Sequence, residues 1–240
     1  VLIELDSDGH RSGVEPDGQA LLEIAKALHV LDGVELKGVM THAGSSYACF
    51  TTAALSEIAR IERDRTLRAA SRIRAAGFPC AVVSIGSTPT ALTVDDLTGV
   101  TEVRAGVYSM FDLVMAGIGG CGIDEIALSV LVTVIGHQKT RQRLITDGGW
   151  MALSRDRGTA TQRHDYGYGV VLNTDGQRLP LIVSSANQEH GIISPADDGG
   201  TIDFQQYPLG SQLRVLPNHA CATIGQHTEF NVLENGVLRD

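Results

Sequence analysis

The sequence has no long apolar run, no basic run and few aromatic residues. No stretch reaches the roughly 20 apolar residues that a membrane-spanning helix needs. The 240 residues include 19 lysines and arginines against 28 acidic residues, which gives a net charge of −9. An acidic chain without a lysine- or arginine-rich segment is a poor ligand for nucleic acid or anionic membranes. We therefore expect neither of these as a partner.

Cysteine is also scarce, and its distribution predicts the compartment. The four cysteines are far apart in the sequence, and no secretion signal precedes them. This pattern indicates reduced thiols in a cytoplasmic protein and excludes a disulfide framework. The chain lacks an initiator methionine, and Val1 already falls within a predicted strand, so we expect it to be part of a longer protein.

The first half of the sequence alternates predicted strands and helices. The predicted strands are Val1–Leu5, Val34–Thr41, Cys80–Ile85 and Thr101–Val107. The predicted helices are Gly18–Leu31, a long one from Thr51 or Thr52 to about Ala76 with a solvated middle at Arg60–Arg68, and a short one within Thr90–Leu97. Strands separated by helices at this spacing pair in parallel. Residues 1–117 are therefore predicted to form an α/β section.

The second half of the sequence is rich in predicted strands. These are Leu128–Ile135, Tyr168–Leu172, Leu179–Val183, Thr201–Gln205, Gln212–Leu216 and Phe230–Leu233. Asn173–Gln177 has the composition of a hairpin turn, and Asn235-Gly236 is a second turn signal. A glycine-rich stretch near residue 118 separates the two halves. The predicted fold class is thus α/β followed by all-β, with a β-rich domain over residues 118–240.

Polar clusters follow three of the predicted parallel strands. They are Asp6–Arg11, Thr41–Tyr47 and Gly86–Thr90. Functional groups collect at the carboxyl ends of parallel strands, and a barrel gathers them around one point. Four strands are half of an eight-stranded barrel. Gly86-Ser87-Thr88 has the glycine and hydroxyls of a small phosphate cradle, although an ordinary strand-to-helix turn has the same composition.

Several other residues are candidates for a site, each with a structural alternative. His42 and Tyr47 could contact a ring or could simply belong to the core. Arg104 falls within a predicted strand, where an arginine is costly to bury without a partner. Gln188–Gly191 contains a neighbouring glutamate and histidine as a candidate acid/base pair, although such neighbours are common in loops.

His219 and Cys221 are two positions apart in Pro217–Thr223. In a strand their side chains would point to the same face, and imidazole and thiolate are ligands that zinc prefers. Two protein ligands would leave positions open for substrate and water, as in a catalytic site. With 8 histidines and 4 cysteines in the chain, chance is the alternative explanation for the spacing.

Six motifs in order resemble one family. They are Val1–Val14, Val39–Tyr47, Val83–Thr90, Glu102–Gly106, Gln188–Gly191 and Pro217–Thr223. Together they are similar to the D-serine dehydratase and D-threonine aldolase branch of the alanine-racemase-like pyridoxal-phosphate (PLP) enzymes of fold type III. The resemblance implies the second half of a (β/α)8 TIM-type barrel that binds PLP, a C-terminal β-domain that carries the metal, and a homodimer.

The resemblance also implies roles for particular residues. Gly86, Ser87 and Thr88 would bind the PLP phosphate, and Arg11, His42, Tyr47 and Arg104 would surround the cofactor ring. His219 and Cys221 would bind the metal and serve catalysis. A thiolate suits Zn²⁺, with Mn²⁺ as the second option.

The implied reaction is the dehydration of D-serine or a related D-3-hydroxy amino acid to a 2-oxo acid and ammonia. Cysteine at the second metal position favours the dehydratase branch, because aldolases of this kind tend to have aspartate there. The alternatives are a D-threonine-type aldolase or an amino-acid racemase of the same fold, and a non-catalytic PLP-binding fragment.

One departure from the family concerns the lysine that bonds the cofactor. Only Lys26, Lys37 and Lys139 are present, and none matches the family position, which lies upstream of Val1. We therefore expect these 240 residues alone to be inactive.

Overall fold

The computed structural model describes residues 1–234 and 237–239, and the chain divides into two compact units. One unit contains residues 1–108 and 118–120, and the other contains residues 109–117 and 121–240. The first unit contains the parallel strands and the long helices, and the second is rich in antiparallel strands. Residues 109–117, however, belong to the second unit, whereas the sequence prediction put them in the first.

The first unit is built on a four-stranded parallel sheet. Its strands, paired in the order of the chain, are β1 (Leu2–Leu5), β2 (Gly38–Thr41), β3 (Val82–Ile85) and β4 (Glu102–Val103). Its helices are α1 (Ala20–Val30), α2 (Thr52–Ala75) and α3 (Thr88–Ala91). The predicted parallel pairing is confirmed by the registers of β1 with β2, β2 with β3, and β3 with β4.

Helix α2 has buried as well as solvated polar residues in its middle, and the sequence prediction missed the buried ones. It begins where the prediction put it, with the Thr51 side chain accepting a hydrogen bond from the Ala54 N–H. The predicted solvated middle is wrong in part, since Glu62 and Thr66 are buried. Both lie on the stripe that faces the core, which runs through Leu55, Ala59, Glu62, Thr66, Ala69, Ala70 and Ile73.

The core of the first unit lies between the sheet and the helices α1 and α2. Apolar side chains from alternate positions of the strands meet the buried faces of α1 and α2. The fully buried members include Leu5, Val39, Val83, Leu21, Ala25 and Ile73. Burial of such side chains supplies the main stabilisation of the unit, at roughly 25 cal/mol per Å² of apolar surface.

The second unit contains a closed antiparallel barrel of six strands. In barrel order they are β10 (Gln212–Pro217), β5 (Val130–Gln138), β6 (Arg143–Thr146), β9 (Gly191–Pro195), β8 (Arg178–Ala186) and β7 (Gly169–Leu172). Inward-facing branched residues such as Val132, Val134, Leu144, Val183, Ile193 and Val215 fill its core. The hairpin predicted at Asn173–Gln177 connects β7 to β8, and Gly176 adopts φ +86° there.

The remaining elements of the second unit are short. They are α4 (Leu113–Gly117), α5 (Trp150–Leu153), α6 (Ala220–Ile224) and the paired strands β11 (Val232–Glu234) and β12 (Val237–Arg239). The turn predicted at Asn235-Gly236 lies outside the described residues. Within the described part of the chain, no helix combines the length and apolar character that crossing a membrane requires.

Some predicted strands were wrong or misplaced. Residues 201–205 form no strand, and β6 and β9 were not predicted. Lys37 lies just before β2 and not within a strand, and Arg104 follows β4 directly. The most consequential error concerns Pro217–Thr223, because β10 ends at Pro217 and the chain turns into α6.

Gly38 shows how tightly the parallel sheet is assembled. It pairs with Leu2 on one side and Val82 on the other, and a Cβ atom there would lie 1.9 Å from the Val82 carbonyl oxygen. We expect Gly38→Ala to lower the free energy of unfolding by about 3 kcal/mol through overpacking and displacement of β2. Urea denaturation measures this change.

Gly106→Ala is the matched control, because a Cβ at Gly106 would meet no atom within 4 Å. Equal stability of the two variants would contradict the close approach of β2 and β3.

Candidate functional site

The polar clusters after β1, β2 and β3 lie together at the carboxyl edge of the parallel sheet, as predicted. The His42 and Tyr47 rings are stacked, with centroids 6.0 Å apart. A Cβ built on Gly44 would lie 3.1 Å from Arg11 Nε. A Cβ built on Gly86, which has φ +116°, would lie 2.7 Å from the Arg104 carbonyl oxygen. The close approach of these loops explains why glycine occupies positions 44 and 86.

His42 has one buried ring nitrogen that lacks a hydrogen-bond partner. Its Nε2 atom is buried and makes no hydrogen bond in the structure. Burial lowers the pKa of His42, and the positive charges of Arg11 and Arg104 lower it further. A neutral imidazole beside two guanidinium groups is an environment that favours an anionic ligand.

Arg104 is fixed in place by neighbouring strands. Its guanidinium donates to the Ser84 hydroxyl of β3 and to the Thr41 carbonyl oxygen at the end of β2. The Ser84 hydroxyl in turn donates to the Glu102 carboxylate. These hydrogen bonds offset the cost of burying an arginine at this position, because they pair a guanidinium that is half-buried.

The predicted phosphate cradle is a preorganised turn with buried hydroxyls. Ser87 caps α3, and its N–H donates to Thr90 Oγ1 at 3.0 Å. The Ser87 hydroxyl lies 3.3 Å from that of Ser46 and 3.1 Å from that of Thr90. Thr88 Oγ1 accepts from the Tyr108 N–H at 3.2 Å. The turn therefore brings hydroxyl groups from two strand-end loops to one place.

Two carboxylates join the strand-end loops through contacts that the sequence did not indicate, although Asp8 belongs to the predicted cluster Asp6–Arg11. Asp8 Oδ2 accepts from the N–H and the hydroxyl of Ser45, at 2.8 and 2.6 Å. Glu62 Oε1 accepts from the N–H groups of Ala43, at 2.9 Å, and Gly86, at 3.3 Å. Glu62 is only 1% exposed. Its three- and seven-residue spacing from Ala59 and Leu55 was the signal that could have revealed its burial.

The predicted metal pair lies in the second unit. His219 is the N-cap residue of α6, and Cys221 is the second residue of that helix. The strand geometry assumed for them was wrong, because the chain leaves β10 at Pro217. Both residues instead belong to one helical turn, and Cys221 is exposed.

Two aspartates contact the turn that carries this pair. His219 Nδ1 lies 2.7 Å from Asp156 Oδ2. The buried Asp112 carboxylate accepts from the Ala220 N–H at 2.8 Å and the Met115 N–H at 2.9 Å. The hydrogen bond with His219 lowers the pKa of Asp156, whereas burial raises that of Asp112. Burial, followed by the Asp112 charge, raises the pKa of the Cys221 thiol.

The described residues do not complete a three-ligand metal site around this pair. Among residues 1–234 and 237–239, no three His, Cys, Asp or Glu side chains are arranged to bind one metal ion. The two side chains could thus supply two ligands and leave the other positions of an ion open.

The remaining candidates do not join either cluster. Glu189 and His190 are exposed in the turn between β8 and β9, where the Gln188 side chain donates to Glu189. Lys26 lies on α1, Lys37 precedes β2, and Lys139 follows β5, all of them exposed.

Comparison with known proteins assigns the two units to known domain types. Residues 1–113 match the model described as "Alanine racemase, N-terminal domain", and residues 127–233 match the one described as "Putative serine dehydratase domain". The first half of the chain is thus similar to alanine racemases and the second half to serine dehydratases. The chain is 54% identical over 236 residues to the D-threo-3-hydroxyaspartate dehydratase of Delftia sp. strain HT23, covering 97% of this chain and 62% of that enzyme.

A second relative is more distant. The D-serine dehydratase of Dictyostelium discoideum is 29% identical over 248 residues, which is 98% of this chain and 61% of that enzyme. The chain thus spans somewhat less than two thirds of the length of both relatives.

Solved structures give the same assignment. The Delftia enzyme superposes with a TM-score of 0.94 at 53% identity, over 100% of this chain and 64% of that one. An alanine-racemase-like protein from Idiomarina loihiensis has a TM-score of 0.91 at 49% identity, over 100% and 63%. The fold is therefore alanine-racemase-like, with α/β and β-barrel parts.

Two variant structures of a D-threo-3-hydroxyaspartate dehydratase also match. In one a histidine is replaced by alanine, and in the other, which is in the metal-free form, a cysteine two positions further along is replaced.

Replacement of Glu62 tests how the strand-end loops are joined. Glu62→Ala leaves two buried N–H groups without their acceptor, so we expect the free energy of unfolding to fall by about 3 kcal/mol. Urea denaturation at neutral pH measures the loss. Replacement of Glu57, which is exposed on the same helix, is the matched control.

Glu62→Gln separates hydrogen bonding from ionisation. Burial raises the pKa of Glu62, so its contribution to stability is full below the ordinary glutamate pKa and falls as the pH rises through the raised pKa of the folded protein. Gln has no proton to lose. The stability difference should therefore shift in favour of Glu62→Gln as the pH rises through that window. A difference independent of pH would show that the pKa of Glu62 is not raised.

Proposed function

We propose that the protein is a PLP- and metal-dependent dehydratase of D-3-hydroxy amino acids, with D-threo-3-hydroxyaspartate as its first candidate substrate and a 2-oxo acid and ammonia as its products. The observation that carries this proposal is the 54% identity to the Delftia dehydratase over nearly the whole chain, together with a histidine and a cysteine at the spacing replaced in the two variants of a D-threo-3-hydroxyaspartate dehydratase. His219 and Cys221 are the only such pair in this sequence.

The strand-end cluster of the first unit fits PLP. The unpartnered Nε2 of His42 is a buried polar atom in need of a partner, and Arg11 and Arg104 supply positive charge for the phenolic oxygen and phosphate. The Gly86-Ser87-Thr88 turn offers buried hydroxyls at the end of β3. We assign the phosphate to this turn, and the ring to Arg11, His42, Tyr47 and Arg104. The four-stranded sheet would then be half of an eight-stranded barrel.

The chemistry of the donor set fits a divalent metal at the turn into α6. An imidazole and an accessible thiol on one helical turn suit Zn²⁺ better than Mn²⁺, which prefers oxygen ligands. Metal binding deprotonates a coordinating thiol, so the raised pKa of Cys221 does not prevent coordination. We therefore assign Zn²⁺ to His219 and Cys221.

These residues divide the work of the reaction. When bound, PLP supplies an electron sink for the α-carbon, and Zn²⁺ supplies a Lewis acid that makes the 3-hydroxyl a better leaving group. Arg104, fixed by Ser84 and Thr41, orients the cofactor ring. Neutral His42 can donate or accept one hydrogen bond without adding charge. The homodimer implied by the resemblance remains a prediction.

The reaction products distinguish the proposal from its alternatives. With PLP and Zn²⁺ present, we expect the full-length protein, which would supply the cofactor lysine, to convert the D isomers of 3-hydroxyaspartate or serine to a 2-oxo acid and ammonia in equal amounts. Glycine and an aldehyde would indicate an aldolase, and inversion without ammonia would indicate a racemase. PLP binding without any turnover would indicate a non-catalytic protein.

Replacement of the metal pair tests the assigned ligands. In the full-length protein, we expect His219→Ala and Cys221→Ala each to lower kcat roughly 100-fold or more, because the hydroxyl would leave without Lewis-acid assistance. Steady-state kinetics and metal content by elemental analysis measure the effect. Cys80→Ala, in the core of the first unit, is the control. Full activity of Cys221→Ala would overturn the assignment.

A further inference from the structure

Asp156 and Asp112, two carboxylates that the sequence did not indicate, approach the His219–Cys221 turn from separate segments of the second unit. We propose that they are positioning residues for metal binding, with Asp156 orienting the His219 imidazole and Asp112 fixing the backbone between the two ligands. The proposal rests on the proposed function, because it presumes that His219 and Cys221 bind the metal.

The contact between Asp156 and His219 determines which ring nitrogen can bind an ion. With the carboxylate 2.7 Å from Nδ1, the ring proton belongs on Nδ1 and the lone pair is on Nε2. A histidine that binds a metal through one nitrogen usually donates its other N–H to a carboxylate or carbonyl, which fixes the tautomer and raises the basicity of the ligand. Asp156 has this relation to His219.

The contact between Asp156 and His219 contributes little to the stability of the fold. The side chains of His219 and Asp156 are 39% and 34% exposed, and an ion pair at such exposure contributes at most about 1 kcal/mol. The backbone leading to Asp156 is nevertheless strained. Ser154 adopts φ +68° and ψ 168°, a region that glycine normally occupies. Its hydroxyl accepts from the Asp156 N–H at 3.2 Å, which orients the segment that presents the carboxylate.

Asp112 acts on the backbone of the same turn. It is 1% exposed, and its two oxygens accept from the N–H groups of Met115 and Ala220. Ala220 is the residue between His219 and Cys221, so this bond fixes the peptide that joins the two ligands. Here too the backbone just before the aspartate is strained, since Phe111 adopts φ +54°. Strained residues persist where the surrounding structure requires them, and they cluster at functional sites.

The affinity of the protein for Zn²⁺ tests the proposal without use of the reaction. Competition with a chelator on the metal-free protein would compare wild type with Asp156→Ala and Asp156→Asn. We expect Asp156→Ala to weaken binding 10- to 100-fold, and Asp156→Asn to weaken it less, because an amide oxygen can still accept from Nδ1–H. The unfolding midpoint without metal should remain that of the wild type.

Two further variants serve as the control and the reference for this measurement. Asp175→Asn, exposed in the hairpin turn between β7 and β8, is the matched control for loss of one negative charge. His219→Ala is the reference for loss of a ligand. If His219→Ala weakens Zn²⁺ binding and neither Asp156 variant does, the positioning role fails and the metal site stands. If His219→Ala leaves binding unchanged, the proposed metal site fails, and the positioning role with it.

The tautomer of the His219 ring is a second quantity to measure, and it would not change if Asp156 had only a structural role. In ¹⁵N NMR of the metal-free protein, we expect the His219 ring to carry its proton on Nδ1, and the Nε2–H tautomer to increase in Asp156→Ala. An unchanged tautomer would overturn the role of Asp156.

Asp112→Asn, with one N–H acceptor replaced by a donor, should also weaken Zn²⁺ binding. A folded Asp112→Asn variant of unaltered affinity would overturn the role of Asp112.

Discussion

The buried carboxyl of Glu62 links two loops that the strands alone leave independent. Parallel strands fix the positions at which their loops begin, but not the paths that the loops follow. One oxygen of Glu62 accepts from the loop after β2 and from the loop after β3, and Asp8 joins the loops after β1 and β2 in the same way. Burial of a carboxyl is costly, and the N–H groups that it accepts would be equally costly without it. Each group thus requires the other.

The same principle operates in the second unit with different residues. Asp112 accepts from two backbone N–H groups that are distant in sequence, and in doing so it joins α4 to the turn before α6. In both units, therefore, a buried acid determines the path of the backbone beside the candidate residues.

Much of the architecture could be predicted from the sequence because it follows from periodicity. The α1 and α2 stripes, the parallel strands and the hairpin at Asn173–Gln177 are local patterns. The strands β6 and β9 were missed because each is short and its register depends on barrel partners distant in sequence. The predicted strand Gln212–Leu216 ended one residue before β10 does. The strand geometry assumed for His219 and Cys221 was wrong, because the turn into α6 is accompanied by a contact between Asp112 and Ala220, which are 108 residues apart.

The site could be predicted only where its residues formed motifs. His42, Tyr47 and Gly86 were candidates because they follow predicted strands, and Arg104 because an arginine within a predicted strand needs a partner. The structure places them at the same edge of the sheet. Glu62 was hidden in a charged helix, where only its spacing distinguished it from its solvated neighbours. Asp156 had no signal at all, since its role arises from a contact across 63 residues.

The closed barrel of the second unit has a consequence for how it can meet other proteins. Each of its six strands is paired on both sides, so none offers a free row of N–H and C=O groups to a strand from another molecule. Recognition by strand addition is thereby closed to this part of the protein. A partner of the barrel must therefore bind its side chains and loops. Selectivity for that partner can evolve there without the risk of fibre formation through strand pairing.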